Sequence, residues 1–133
     1  MKKLIYLMLL VLLLFVSSCV PTKRETVETK LTDAGFNVLS YDESNYNMEK
    51  YNQTFGYEGC DVVITAFMND GTKITEYVNI MHFDTIKHAK EGLDRVIYMD
   101  EHAENPDETV YDFRRSGKWV YYGTKDGLDA LEK

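Results

Sequence analysis

The chain has 133 residues, and its 22 aspartates and glutamates outnumber 15 lysines and arginines for a formal net charge of −7. That balance excludes nucleic acid as a partner and a basic face lying on anionic lipid. Two cysteines exclude a disulfide framework and a cysteine-based metal cluster, and the low proline content, with no low-complexity tract, excludes disorder.

The first stretch sets the address. Lys2 and Lys3 supply positive charge, Leu4 to Val16 form an apolar run, and Val16-Ser17-Ser18-Cys19 closes it. A basic start, an apolar core of about 7–15 residues and small residues before a cut site read as a secretory signal. The run falls short of the about 20 residues that a membrane-spanning helix needs. The expected division is a signal peptide over 1–18, a tether over 19–23 and one globular domain over 24–133. Without the leader's two lysines, 13 basic residues face 22 acidic ones, a net of −9. About 115 residues then suit a single domain with one core.

Val16-Ser17-Ser18-Cys19 resembles the lipobox of bacterial lipoproteins: an aliphatic residue, two small residues and a cysteine. The resemblance implies lipidation of Cys19, with diacylglycerol on its sulfur, palmitate-type acylation, and cleavage that makes Cys19 the new N-terminus. It further implies a place on the cell membrane facing outside the cytoplasm, with the membrane itself as a partner. Two acyl chains hold a protein stably where one does so only marginally. The family's inner-membrane retention signal, an acidic residue after the cysteine, is absent; Val20 stands there.

Thr22-x-x-Glu25 has capping-box spacing, and Val27, Leu31 and Ala34 recur at helical intervals before Gly35. The spacing predicts a helix over 24–34, with Lys23 and Arg24 facing lipid headgroups. Residues 36–41 read as a strand, and Met48, Tyr51 and Phe55 predict a helix over 45–55. Asp61–Met68 and Lys73–Met81 flank Asn69-Asp70-Gly71, a hairpin signal. With Asp70-Gly71 as a two-residue turn, Phe67 faces Ile74 and Val63 faces Val78 on the core side, leaving Ile64 and Tyr77 on the other. Asp84 or Thr85 caps a helix over 84–103 with an apolar stripe of Ile86, Ala89, Leu93, Val96 and Ile97 and a Glu91–Arg95 pair, stopped by Asn105-Pro106. Thr109–Arg115 and Lys118–Gly123 form a second hairpin about Ser116-Gly117. Tyr111, Phe113, Val120 and Tyr122 share one of its sides; Asp112, Arg114, Trp119 and Tyr121 share the other. A terminal helix capped by Thr124 carries Leu128 and Leu131, weakened by Gly127.

This order predicts an α+β fold, an antiparallel-rich sheet with helices on one face. It has a ferredoxin-like βαββαβ core plus an extra strand and terminal helices, strand order 2-3-1-4-5. The alternative is a plain meander with helices packed across it. The stretch Arg115-Ser-Gly-Lys-Trp-Val-Tyr-Tyr-Gly-Thr124, after a strand pair and a helix, is similar to small uncharacterised lipoproteins of bacteria. That resemblance implies architecture and no activity.

His82, Asp84 and His88 are the one cluster with metal-ligand residue types, placed where a strand end and a helix start converge. Helix capping and a solvated helix face explain Asp84 and His88 equally well, and the spacing matches no zinc pattern. Cys60 has the chemistry of a nucleophile but, alone at a strand start, reads as a small buried hydrophobe. No catalytic motif is present. Arg114, Trp119 and Tyr121 share a hairpin face, and aromatics with arginine mark partner surfaces. The expected function is therefore a non-catalytic binding or envelope-associated domain without a cofactor, docking a protein or small ligand. The alternative is a metal-binding protein or hydrolase using the His82/Asp84/His88 corner or Cys60.

Overall fold

The computed structural model describes residues 23–104 and 109–132. The signal peptide, Cys19, most of the tether and the Asn105-Pro106 helix stop lie outside the described residues. Among the described residues the order is α1 (Arg24–Asp33), β1 (Asn37–Tyr41), α2 (Met48–Phe55), β2 (Cys60–Asn69), β3 (Ile74–Phe83), α3 (Ile86–Glu101), β4 (Asp112–Ser116), β5 (Trp119–Gly123) and α4 (Lys125–Glu132). None of these helices is long and apolar enough to cross a membrane.

The fold is α+β, a five-stranded antiparallel sheet with four helices. Two features differ from the ferredoxin-like expectation. The strand order is β1-β2-β3-β5-β4, so β1 lies at an edge beside β2 and never reaches β3. The place beside β3 is taken by β5, which turns back from β4 at Gly117-Lys118 and pairs Ile80 with Tyr121. The helices also cover both faces. On one, α1 and α4 bring Val27, Leu31, Leu128 and Leu131 onto Ile64, Ala66, Val78, Ile80, Trp119 and Tyr121. On the other, α2 and α3 bring Met48, Ala89 and Val96 onto Val63, Met81, Phe83 and Val120. The central strands require this. In β2 and β3 both alternating sets carry apolar side chains, and a strand apolar on both sides must be buried on both.

The first hairpin shows how a turn and a bulge together decide faces. Asp70 accepts from Thr72 N at 2.9 Å, Thr72 Oγ1 at 2.7 Å and Lys73 N at 3.0 Å, organising a loop longer than two residues. The loop leaves Asn69 opposite Ile74, and a β-bulge between Met68 and Asn69 adds one more residue, so Phe67 faces Tyr77 rather than Ile74 and Val63 faces Met81 rather than Val78. That shift is odd, so Val63 and Val78 lie on opposite faces, and Ile64 joins Val78. In the second hairpin the slip is even: Arg114 faces Tyr121 rather than Trp119. The expected division of its two sides therefore survives.

Local chemistry explains the helix ends. Asn47 caps α2 by accepting from Lys50 N at 2.9 Å, and Gly56, at φ +74°, closes it in the left-handed region. Thr85, not Asp84, caps α3 through His88 N at 3.0 Å. Lys23 occupies the N-cap of α1 without a side-chain cap bond. The Arg24 guanidinium is tied to Glu28 at 2.9 Å and to Asp42. Arg95 is likewise taken from Glu91, donating to Phe55 O at 2.9 Å and so joining α3 to the end of α2.

Candidate functional site

The strip expected to dock a partner does not stand free. Trp119 is 7% exposed and Tyr121 4%, both beneath α1 and α4. Arg114 on the same face is held by Glu132 at 2.6 Å, with Asp112 and Asp129 nearby at 3.4 and 3.9 Å. The expectation failed because α4 folds back over its own hairpin: Leu128 and Leu131 need an apolar floor, and Trp119 and Tyr121 supply it.

The histidine corner is divided. His82 points to the α1/α4 face, where its Nδ1 meets Asp61 Oδ1 at 2.6 Å and its ring lies 4.7 Å from that of Trp119. His88 turns the other way. Its Nδ1 meets Asp84 Oδ1 at 2.5 Å, and its Nε2 lies 3.3 Å from Glu58 Oε1. The hydrogen bond to Asp84 raises the His88 pKa, and the same bond lowers that of Asp84. Glu58, His88 and Glu91 do bring one ligand atom each within 4.8 Å of one another, but both glutamates are exposed, and His82 has no share in the group. Each nitrogen of His88 already faces a carboxylate, so charge pairing accounts for the arrangement. Cys60 is buried at 2% exposure; burial pushes its thiol up to about 12, and its Sγ faces Val62 O at 3.6 Å. A thiol so placed stays protonated at neutral pH and serves as core.

The structure instead assembles a cleft that sequence reasoning missed. It lies between the α2/α3 face of the sheet, the loop before α2 and the last turns of α3, and encloses about 470 Å³. Such a volume is within the about 300–1,000 Å³ typical of small-ligand sites. Tyr41, Tyr46, Tyr51, Tyr57, Tyr77 and Tyr122 line it, six of the chain's 10 tyrosines, with Phe55 and Met99. None of the lining side chains carries a charge.

Each wall has a local origin. The helical spacing of Met48, Tyr51 and Phe55 grades α2 from core to rim: Met48 is 2% exposed, Tyr51 half-buried and Phe55 41% exposed. Tyr51 packs against Phe55 and Tyr57 at centroid distances of 4.8 and 5.9 Å, and Tyr46 meets Tyr41 edge-on at 5.7 Å. These are favourable aromatic geometries. Opposite them, Tyr77 and Tyr122 lie 6.3 Å apart, backed by Phe113 stacked on Tyr122 at 5.7 Å. Burial pushes the Tyr51, Tyr57 and Tyr122 hydroxyls far up and raises that of Tyr77, so these phenols are neutral at physiological pH.

The floor is polar. Thr65 and Asn79 are paired neighbours on β2 and β3, and Asn79 in turn faces Tyr122 on β5. Thr65 Oγ1 donates to Asn79 Oδ1 at 2.9 Å. Asn79 is 5% exposed, the one buried polar residue among the described residues, and its NH₂ forms no hydrogen bond within them. The side chain lines the cleft. Two signals for this site were legible in the sequence: the excess of tyrosine, and a lone asparagine inside the apolar run Val78-Asn79-Ile80-Met81. Their convergence needed the register.

A second, more acidic cavity of about 360 Å³ lies on the other side of α2, beside Glu43, Glu49, Glu58 and Asp61. Asn52 Oδ1 is buried there without a partner, while its Nδ2 holds Cys60 O at 3.0 Å.

Comparison of the chain with protein-family models, curated proteins and solved structures finds no match to any of them.

Proposed function

We propose that this chain is a lipid-anchored binding domain on the outside of the cell membrane, acting without catalysis by taking an uncharged ligand into the aromatic cleft. The observation that carries the binding role is the cleft itself: six tyrosines around a floor that holds the buried side chain of Asn79. Neutral phenols and an amide bind and orient; they supply no nucleophile or general base at neutral pH. The anchor is supported by Lys2, Lys3, the apolar run and Val16-Ser17-Ser18-Cys19. With α1 beginning at Arg24, only residues 20–23 separate an acylated Cys19 from the domain, which keeps the cleft near the membrane surface.

Two measurements test this reading. Cys19→Ala should abolish incorporation of radiolabelled palmitate; label at the wild-type level on the mutant refutes the anchor. A panel of small uncharged fragments, phenols and amides among them, should shift the NMR signals of Tyr51, Tyr57 and Tyr122 in preference to those of Trp119. Fragments that bind nowhere, or only away from the cleft, refute the binding role.

A further inference from the structure

We infer that the ligand of the cleft is an uncharged saccharide. This rests on the reading of the cleft as a binding site and names the class of molecule it takes.

The chemistry of the lining removes the other classes in turn. An ionic ligand would enter a site without a counter-charge and lose its hydration unrepaid. For an anion the net charge of −7 adds long-range repulsion. A purely apolar ligand would cover the Asn79 amide at the floor and strip its NH₂ of water without pairing it, the costly way to bury a polar group. What fits is a molecule with apolar faces and a hydrogen-bonding rim. A sugar ring has that form: its C–H faces lie against aromatic rings, and its hydroxyls point outward from the edge. The cleft offers the matching halves. Tyr51 and Tyr57 stand near-parallel, 23° apart, and Tyr46, 47% exposed, stands at the mouth.

The floor sharpens the match. Asn79 is nine-tenths buried, and one end of its amide is committed to Thr65 while the other lines the cleft. A hydroxyl both donates and accepts, so it satisfies the free end of the amide and can at the same time pair with a neighbouring phenol. A flat hydrocarbon ring does neither.

The test is calorimetric titration of the full chain, purified in a detergent without a sugar headgroup, with three neutral disaccharides: cellobiose, maltose and N,N′-diacetylchitobiose. At least one should bind with Kd below about 1 mM. Asn79→Ala should weaken that binding at least about tenfold. Because Asn79 is buried, Tyr46→Ala provides a second variant at the exposed mouth; it should keep the wild-type unfolding midpoint and also weaken binding several-fold. Binding that both variants leave unchanged places the sugar elsewhere and overturns the inference. If no disaccharide binds while the uncharged fragments still map to the cleft, the saccharide class is wrong and the binding role stands. A proline-rich peptide that binds the cleft where the sugars do not has the same meaning. If neither fragments nor sugars bind, both readings fall together.

Discussion

Thr65 and Asn79 face each other across the β2–β3 pair, and the threonine hydroxyl donates to the amide oxygen at 2.9 Å. This bond orients the amide at the cleft floor. Thr65→Val keeps the shape and removes the donor, leaving a buried carbonyl unmatched. It should destabilise the protein by about 1–3 kcal/mol, and Thr65→Ser should recover most of the loss. Urea denaturation reads both. A loss below about 0.5 kcal/mol, typical of surface positions, would show that water reaches the floor freely.

Trp119 is structural. Lying under Leu128 and Leu131 beside His82, it should fluoresce as a buried indole. Trp119→Ala should cost about 3–5 kcal/mol, as large aromatic deletions in cores do. Solvent-like emission together with a near-neutral substitution would return the strip to the surface.

Gly127 lies in the first turn of α4, where alanine would ordinarily help the helix by about 1 kcal/mol. Here a methyl would fall 2.5 Å from Val78 Cγ2 and 2.9 Å from Thr124 Oγ1. Gly127→Ala should therefore destabilise, by about 1–3 kcal/mol as overpacking does, and Val78→Ala in the same chain should relieve part of the strain. A stabilised Gly127→Ala protein contradicts the close approach of α4 to β3.

Alkali should unfold the protein through its buried acids. Burial raises the Tyr51, Tyr57 and Tyr122 hydroxyls well above their ordinary 10.0 and takes the Cys60 thiol from 9.0 to about 12. Above about pH 9 the unfolded chain releases protons that the folded chain retains. Stability from these groups is thus complete below that pH and declines as pH rises towards their folded values. The urea midpoint should fall between about pH 8 and about pH 10.5, and phenolate absorbance from the buried tyrosines should appear together with loss of helical circular dichroism. Full phenolate absorbance from a still-folded protein would show that the cleft tyrosines are open to water.

Element identity was readable because it depends on neighbours in the chain. Val27 and Leu31 at helical spacing, Thr85 ahead of an apolar stripe, and two long runs of Val, Ile, Thr, Phe and Tyr determine helices and strands locally. The leader pattern, too, is a matter of sequence alone. The tertiary structure decided which surfaces meet. A loop organised by Asp70 and a β-bulge between Met68 and Asn69 together moved β3 by an odd number of residues against β2 and exchanged its faces. That exchange set Asn79 beside Thr65 and on the cleft face with Tyr51 of α2. Burial of Leu128 and Leu131 then drew α4 across Trp119 and Tyr121 and removed the strip that looked most like a docking surface. The physical reason is the same in both cases. Side-chain direction in a strand alternates with every residue, so a single bulged residue reassigns a whole face. A hydrophobic face is covered by whichever apolar element can reach it, and spacing along the chain does not encode that reach.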